Sequence, residues 1–77
     1  MPWLTPQTYQ ILLKIFKAEG FSVTRFEGSH YVLNNAGVDR AVIIPKYSDV
    51  GLDIIKSNMR TAGMSRNRYF ELLSKIK

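Results

Sequence analysis

The chain contains no cysteine and only one histidine among its 77 residues. The lack of cysteine excludes a disulfide framework, a zinc site built on thiolates and a cysteine nucleophile. One histidine cannot build a histidine-rich metal centre, so we expect no metal ion and no other cofactor. No apolar run approaches the roughly 20 residues that span a membrane, and residues 1–10 lack the basic and apolar regions of a secretory signal. The lack of a membrane span and of a secretory signal predicts a cytoplasmic protein without membrane contact.

The length and composition of the chain indicate one small globular domain, spanning residues 1–77. Hydrophobic residues make up 45% of the chain, which is ordinary for a packed core and too many for disorder. Eleven basic residues against six acidic ones give a net charge of +5. Most of this excess lies in residues 46–77, which hold seven basic and three acidic residues. The distribution favours a polyanionic partner or an acidic protein.

The first predicted element is a helix over residues 6–18. Thr5 is suited to the N-cap, and Pro6 to the first helical position, where its missing N–H loses no hydrogen bond. Gly20 is a natural left-handed stop. One stripe at helical spacing is predicted to face the core, formed by Tyr9, Leu12, Leu13 and Phe16.

Three short strands are predicted next, at residues 21–26, 31–33 and 41–44. Gly28 and Ser29 separate the first strand from the second, and the turn residues 34–37 separate the second from the third. Pro45 ends the third strand because it has no N–H to donate to a neighbouring strand. The short connections imply antiparallel hairpins.

The C-terminal third of the chain predicts two helices. Ser48 or Asp49 can cap the first of them, Gly63 ends it, and Ser65 can cap the second. Their apolar positions are Leu52, Ile55, Met59 and Ala62 in the first helix and Tyr69, Leu72, Leu73 and Ile76 in the second. The predicted fold is therefore α+β, in the order α-β-β-β-α-α, with a three-stranded antiparallel sheet and helices on one face.

The third predicted strand is apolar on both faces, although a sheet covered on one face should alternate apolar and polar residues. One interpretation is an inner strand whose second face is partly covered by a C-terminal helix. The other is that one alternate set, either Ala41 with Ile43 or Val42 with Ile44, lies exposed beside Val32. In the second interpretation we assign Val32, Ala41 and Ile43 to a surface that binds a protein partner.

The only histidine, His30, directly follows Gly28 and Ser29 at the start of the second strand. If Tyr31 and Leu33 face the helices, His30 faces away from them. A histidine side chain can accept or donate a proton near neutral pH, as general acid–base catalysis requires. A single surface histidine without a role is nevertheless the more common case, so this position alone does not establish a site.

Basic residues near the second predicted helix form a candidate RNA-binding surface. Lys56 and Arg60 are four residues apart and share one helix face. Lys46 stands beside Tyr47, whose aromatic ring could stack on a base. We take these four residues as candidates for RNA binding, and a basic surface that serves only solubility is the alternative.

Two short motifs occur here in the order and spacing of a known family. The first is Gly-Phe at residues 20–21 followed by Gly-Ser-His at 28–30, and the second is Ala-Gly-Met-Ser at 62–65. From about residue 12 to residue 73 the chain resembles the HicA toxins. These are small messenger-RNA interferases of bacterial and archaeal toxin–antitoxin pairs.

The resemblance implies an α-β-β-β-α fold like that of double-stranded-RNA-binding domains, and an endoribonuclease that needs no metal. It implies that His30 is catalytic and that Gly28 and Ser29 shape the turn that presents it. It also implies inhibition by a cognate antitoxin of the HicB type. We expect this antitoxin to cover the outward residues of the third strand together with His30, and we expect the free toxin to be monomeric.

The chain departs from the family pattern in two places. Many members carry a second histidine after the proline that ends the third strand, where this chain has Lys46, Tyr47 and Ser48. The general acid is therefore open among Tyr47, a lysine and water. Arg66 and Arg68 replace acidic residues and add positive charge. Two alternatives also stay open, a non-catalytic RNA-binding module on the same fold and a domain that only binds protein.

Overall fold

Three helices and three strands follow one another in the predicted order within residues 3–76, which the computed structural model describes. The α+β fold class and the antiparallel sheet are confirmed. No helix in this part of the chain is long and apolar enough to cross a membrane. The elements are α1 (Tyr9–Ala18), β1 (Ser22–Glu27), β2 (His30–Asn35), β3 (Val38–Pro45), α2 (Leu52–Ala62) and α3 (Arg66–Ile76).

The first helix begins three residues later than the sequence predicts. Thr8 is its N-cap, and the Thr8 side chain accepts a hydrogen bond from the N–H of Ile11. Gln7 and Val50 exchange two backbone hydrogen bonds, of 3.3 and 2.8 Å. This bridge holds the chain extended ahead of the helix, so the assignment of Thr5 as N-cap and Pro6 as first helical residue is wrong. The predicted end is confirmed, because α1 stops at Ala18.

The same bridge decides where α2 begins. Val50 is tied to the segment before α1, so the helix starts at Leu52 with Gly51 as an N-cap that offers no side chain. The prediction of a cap at Ser48 or Asp49 is therefore wrong. The other two helix-boundary predictions are confirmed: Gly63 ends α2 in the left-handed conformation (φ 67°), and the Ser65 hydroxyl accepts from the N–H of Arg68 at the start of α3.

The sheet order is β1-β2-β3, so β3 is an edge strand. The interpretation of β3 as an inner strand is therefore wrong. Its outer edge is covered by Asn58 of α2, whose amide donates to the carbonyl of Ile43 (3.0 Å) and accepts from the N–H of Ile43 (3.4 Å). A buried side chain thus satisfies backbone groups that an edge strand would otherwise leave unpaired.

The register of the sheet separates a core face from an open face. Leu33 pairs with Val42, and both side chains are fully buried in the core against the helices. Val32 pairs with Ile43, and His30 pairs with Pro45. Because paired residues share a face and neighbours along a strand alternate, these last four residues lie on the other face. The core is completed from the helices by Leu12, Ile15, Phe16, Ile55, Met59, Tyr69 and Leu72.

The hydroxyl of Tyr69 is buried and has no hydrogen-bond partner among the described residues. The whole residue is 0% exposed, and burial raises the pKa of Tyr69 to about 12. We expect Tyr69→Phe to raise the free energy of unfolding by about 1 kcal/mol at pH 7, because it removes a desolvated hydroxyl and keeps the packed ring.

The effect of pH on this difference has a definite sign. Burial keeps the Tyr69 phenol neutral in the folded state up to a pH of about 12, whereas in the unfolded state it ionises at its ordinary pKa of about 10. Below pH 10 its titration has no effect on the free energy of unfolding, and between about pH 10 and 12 ionisation of the unfolded state lowers it. The wild type should lose stability in this interval relative to Tyr69→Phe. Urea unfolding followed by circular dichroism measures both effects, with Tyr47→Phe, at a half-exposed ring, as the control. A less stable Tyr69→Phe at pH 7 would contradict the prediction.

Candidate active site

The turn between β1 and β2 is the structural base of the candidate site. Glu27 and His30 are paired in the sheet, so Gly28 and Ser29 alone form the loop. Both have a positive φ, 53° and 65°, as a type I′ turn requires. For Ser29 this conformation costs roughly 1–2 kcal/mol. The carbonyl of Ser29 accepts a hydrogen bond from the N–H of Lys46 (2.9 Å), which ties the turn to the end of β3.

The turn also fixes the ring of His30. The Nδ1 atom lies 2.7 Å from the carbonyl oxygen of Gly28. A carbonyl oxygen can only accept, so Nδ1 carries the proton. In the neutral ring the lone pair is then on Nε2, on the side away from the turn. This arrangement gives the ring the tautomer that a general base needs, with a backbone carbonyl in the orienting role.

His30 opens onto a groove between the open face of β3 and the flank of α2, which we call the His30 groove. Its volume is about 430 Å³, within the range of sites that hold small organic ligands. Asn58 anchors α2 to β3 along one side of it. The lining residues are His30, Arg40, Ala41, Ile43, Pro45, Tyr47, Asp53, Ile54, Ser57, Asn58 and Thr61.

Of the four residues predicted to bind RNA, only Tyr47 lines the His30 groove. Tyr47 is half-exposed, and its carbonyl accepts from the N–H of Tyr9 (3.2 Å), which anchors its backbone against α1. The ammonium of Lys46 lies 5.9 Å from the ring centre of Phe26. Phe26 pairs with Tyr31 and shares its face of the sheet, so the Lys46 side chain reaches toward the side opposite His30.

The other two predicted RNA contacts, Lys56 and Arg60, lie away from the groove. They line a second, shallower hollow on the other side of α2, together with Leu4, Met59, Met64 and Arg66. The prediction that they share a helix face agrees with this placement. It does not bring them to His30, because the groove-lining residues of α2 occupy the opposite flank of that helix.

The positive charge expected from Arg68 is largely compensated. Its guanidinium donates to Glu19 at 2.8 Å and to Glu71 at 2.6 Å, which ties α3 to the end of α1. The hydrogen bond from Arg68 lowers the pKa of Glu71, with a further contribution from Lys75. Arg68 is therefore a structural cation, and its replacement of an acidic residue adds little to an RNA-binding surface.

The three residues assigned to partner binding do share the open face, but they differ in exposure. Ile43 is 47% exposed and Ala41 is half-buried at the groove wall. Val32 is only 7% exposed, since it lies in register between Arg25 on β1 and Ile43 on β3. Of the two alternatives for β3, the outward set is thus Ala41 with Ile43. Ile43 offers most of the apolar surface.

The sequence reasoning missed three residues of the groove. Arg40 is not among the predicted RNA contacts, yet it lines the same groove as His30. A two-residue irregularity in the β2–β3 register, between Leu33 and Asn35, places it there. Asn58 and Asp53 are the other two, and little in the sequence indicates either. For Asn58 the only indication is that it is a polar residue next to Met59 on the apolar helix face.

The groove offers an oriented base, a phenol and a guanidinium, but no group of ligands for a metal. Within residues 3–76, no three His, Asp or Glu side chains come together as a metal ion would require. The groove residues themselves offer proton transfer at His30 and binding of an anion by Arg40.

A comparison with models of known protein families finds a family that matches most of the chain. Residues 9–64 match the family described as HicA toxin of bacterial toxin-antitoxin. The match contains α1, all three strands and α2, and so includes the turn, His30 and the whole groove. None of the curated proteins matches the chain significantly, and none of the solved structures does.

Proposed function

This chain belongs to the HicA toxin family of toxin–antitoxin systems, and from that premise we propose that it is an endoribonuclease that cleaves messenger RNA. The observation that supports the proposal most is the hydrogen bond from His30 Nδ1 to the Gly28 carbonyl. It leaves Nε2 as a base at the mouth of a groove that also holds Arg40 and Tyr47.

The proposed reaction is an internal transesterification. His30 Nε2 accepts the proton of a ribose 2′-OH, and the 2′-oxygen attacks the adjacent phosphorus. The bond from phosphorus to the 5′-oxygen of the next nucleotide breaks, and the products are a 2′,3′-cyclic phosphate and a 5′-hydroxyl. General base catalysis of this kind contributes about 10²–10⁴-fold.

The leaving 5′-oxygen needs a proton, and the structure favours Tyr47 over Lys46 as its source. Tyr47 lines the groove with His30, whereas the Lys46 ammonium lies over Phe26 on the other side of the sheet. A neutral phenol is a weak acid at pH 7, so we expect a slow enzyme.

RNA is held in this proposal by charge on both sides of α2. Arg40 binds a backbone phosphate inside the groove, at the end away from His30. Lys46, Lys56 and Arg60 lie outside the groove and extend the contact to neighbouring phosphates without touching the reacting one. These contacts read the backbone and not the base sequence.

As a toxin of this family the protein has an antitoxin partner, and we propose that it is of the HicB type and covers the open face of the sheet. Ile43 is an exposed apolar side chain on the wall of the His30 groove. A partner that buries Ile43 with Ala41 and Val32 also closes the approach to His30. Inhibition then needs only occupation of the site.

Cleavage of a short RNA with a single 2′-deoxy nucleotide tests the reaction directly. We expect the all-RNA oligonucleotide to be cut in buffer that contains EDTA, with a 2′,3′-cyclic phosphate end detectable by mass spectrometry. The oligonucleotide that lacks the 2′-OH at the cleaved position should stay intact there, because the nucleophile is missing. Cutting at the deoxy position, or a dependence on added divalent metal, would contradict the mechanism.

A further inference from the structure

Asp53 lies in the first turn of α2, where a carboxylate complements the positive end of the helix dipole, and it also lines the groove proposed to hold RNA. Its side chain lines the His30 groove and is exposed. Within residues 3–76 it has no ion pair and no side-chain hydrogen bond. A carboxylate repels phosphate groups and can only accept hydrogen bonds, so a substrate group bound beside Asp53 has to be a hydrogen-bond donor.

The topology places Asp53 at the His30 end of the groove. The chain reverses direction between Pro45 and Leu52, and Asn58 is bonded to Ile43 near the middle of β3. Asp53 precedes Asn58 by five residues, about 7.5 Å along the helix axis, toward Pro45. Pro45 is the residue that pairs with His30.

We propose that this end of the groove is a guanine-binding subsite in which Asp53 recognises the base. The inference rests on the proposed ribonuclease function and adds its base specificity. A carboxylate can only accept hydrogen bonds, and it accepts best from two adjacent donors. Guanine presents such a pair, N1–H and the N2 amino group, whereas the pairing edge of adenine, cytosine or uracil presents one donor.

The neighbours of Asp53 suit a nucleotide in this orientation. The half-exposed ring of Tyr47 provides a surface on which the base can stack. Arg40 is five residues before Pro45 along β3, and so lies toward the other end of the strand from His30. The two opposite charges therefore lie at opposite ends of the groove. In this arrangement Asp53 binds the base of the nucleotide whose 2′-OH faces His30. Arg40 binds a more distant phosphate.

Calorimetric titration with the 3′-monophosphates of guanosine, inosine, adenosine, cytidine and uridine tests the subsite without relying on cleavage. We expect guanosine 3′-monophosphate to bind about 10- to 100-fold more tightly than the adenosine, cytidine and uridine forms. Inosine 3′-monophosphate, which lacks the N2 amino group, should be intermediate. In Asp53→Asn the preference should fall to within about threefold. Asp49→Asn removes the same charge outside the groove and should keep the preference.

The possible outcomes distinguish failure of the guanine-subsite proposal from failure of the ribonuclease proposal. Equal affinity for all five nucleotides, or a preference that survives in Asp53→Asn, overturns the subsite even if the wild type cleaves RNA. Loss of the guanine preference in Asp53→Asn alone supports the subsite even if the wild type fails to cleave, in which case the ribonuclease proposal falls. If no nucleotide binds and no RNA is cut, both proposals are overturned.

Discussion

Replacement of His30 by alanine should abolish RNA cleavage and growth arrest while the protein stays folded. The side chain is half-buried on the open face, outside the core cluster, so its loss should change the free energy of unfolding by no more than about 1 kcal/mol. Loss of the general base should lower the cleavage rate by about 10²–10⁴-fold. The measurements are single-turnover cleavage of a labelled RNA and growth after induced expression.

A second variant separates the ring of His30 from the turn that carries it. Ser29→Gly keeps the turn and relieves its positive φ, so it should be at least as stable as the wild type and retain cleavage. Thermal unfolding followed by circular dichroism confirms that each variant is folded. If His30→Ala is folded and cuts RNA at the wild-type rate, His30 is not the general base.

Replacement of Ile43 by aspartate should abolish binding of the cognate HicB-type antitoxin. Ile43 is about half-exposed, so the free variant can keep its new carboxylate in water. In the complex that carboxylate would be buried without a partner, at a cost of about 3–5 kcal/mol, or on the order of 10²- to 10⁴-fold in affinity. Titration calorimetry with the purified antitoxin measures the loss.

Val23→Asp is a matched control for this change. Val23 is an exposed apolar residue of β1 that pairs with Leu33, and so belongs to the opposite face of the sheet. The control variant should bind the antitoxin as the wild type does. The proposed surface is wrong if Ile43→Asp still binds with unchanged affinity, or if a structure of the complex leaves His30 open to solvent with the antitoxin only on α2 and α3.

The order of the elements and most of their ends could be predicted because they depend on nearby residues. Gly63 and Ser65 act on the turns that they occupy, and the structure confirms both. The starts of α1 and α2 could not be predicted from Thr5 and Asp49, because a contact between distant segments overrides the local preference. Gln7 and Val50 are 43 residues apart, and their backbone hydrogen bonds keep both flanking segments out of the helices.

For the candidate site, too, the parts that depend on nearby residues could be predicted, and the parts that depend on distant contacts could not. The turn at Gly28 and Ser29 and its link to His30 lie within three consecutive residues, so the motif was sufficient to single them out. The residues that line the groove could not be predicted from a local motif. Arg40 reaches it through an irregularity in strand register, and Asp53 through the docking of α2 on β3.

The residue pattern alone was enough to predict the sheet, the three helices, the turn that carries His30 and the likeness to the HicA toxins. Each of these follows from short-range spacing, from left-handed turn positions or from a contiguous motif. Three features depend on how the elements pack together: β3 is an edge strand held by Asn58, Lys56 and Arg60 face away from His30, and Arg40 and Asp53 line the His30 groove. The physical reason is that periodicity specifies which face of an element is apolar, whereas the neighbour of its polar face depends on how separate elements pack.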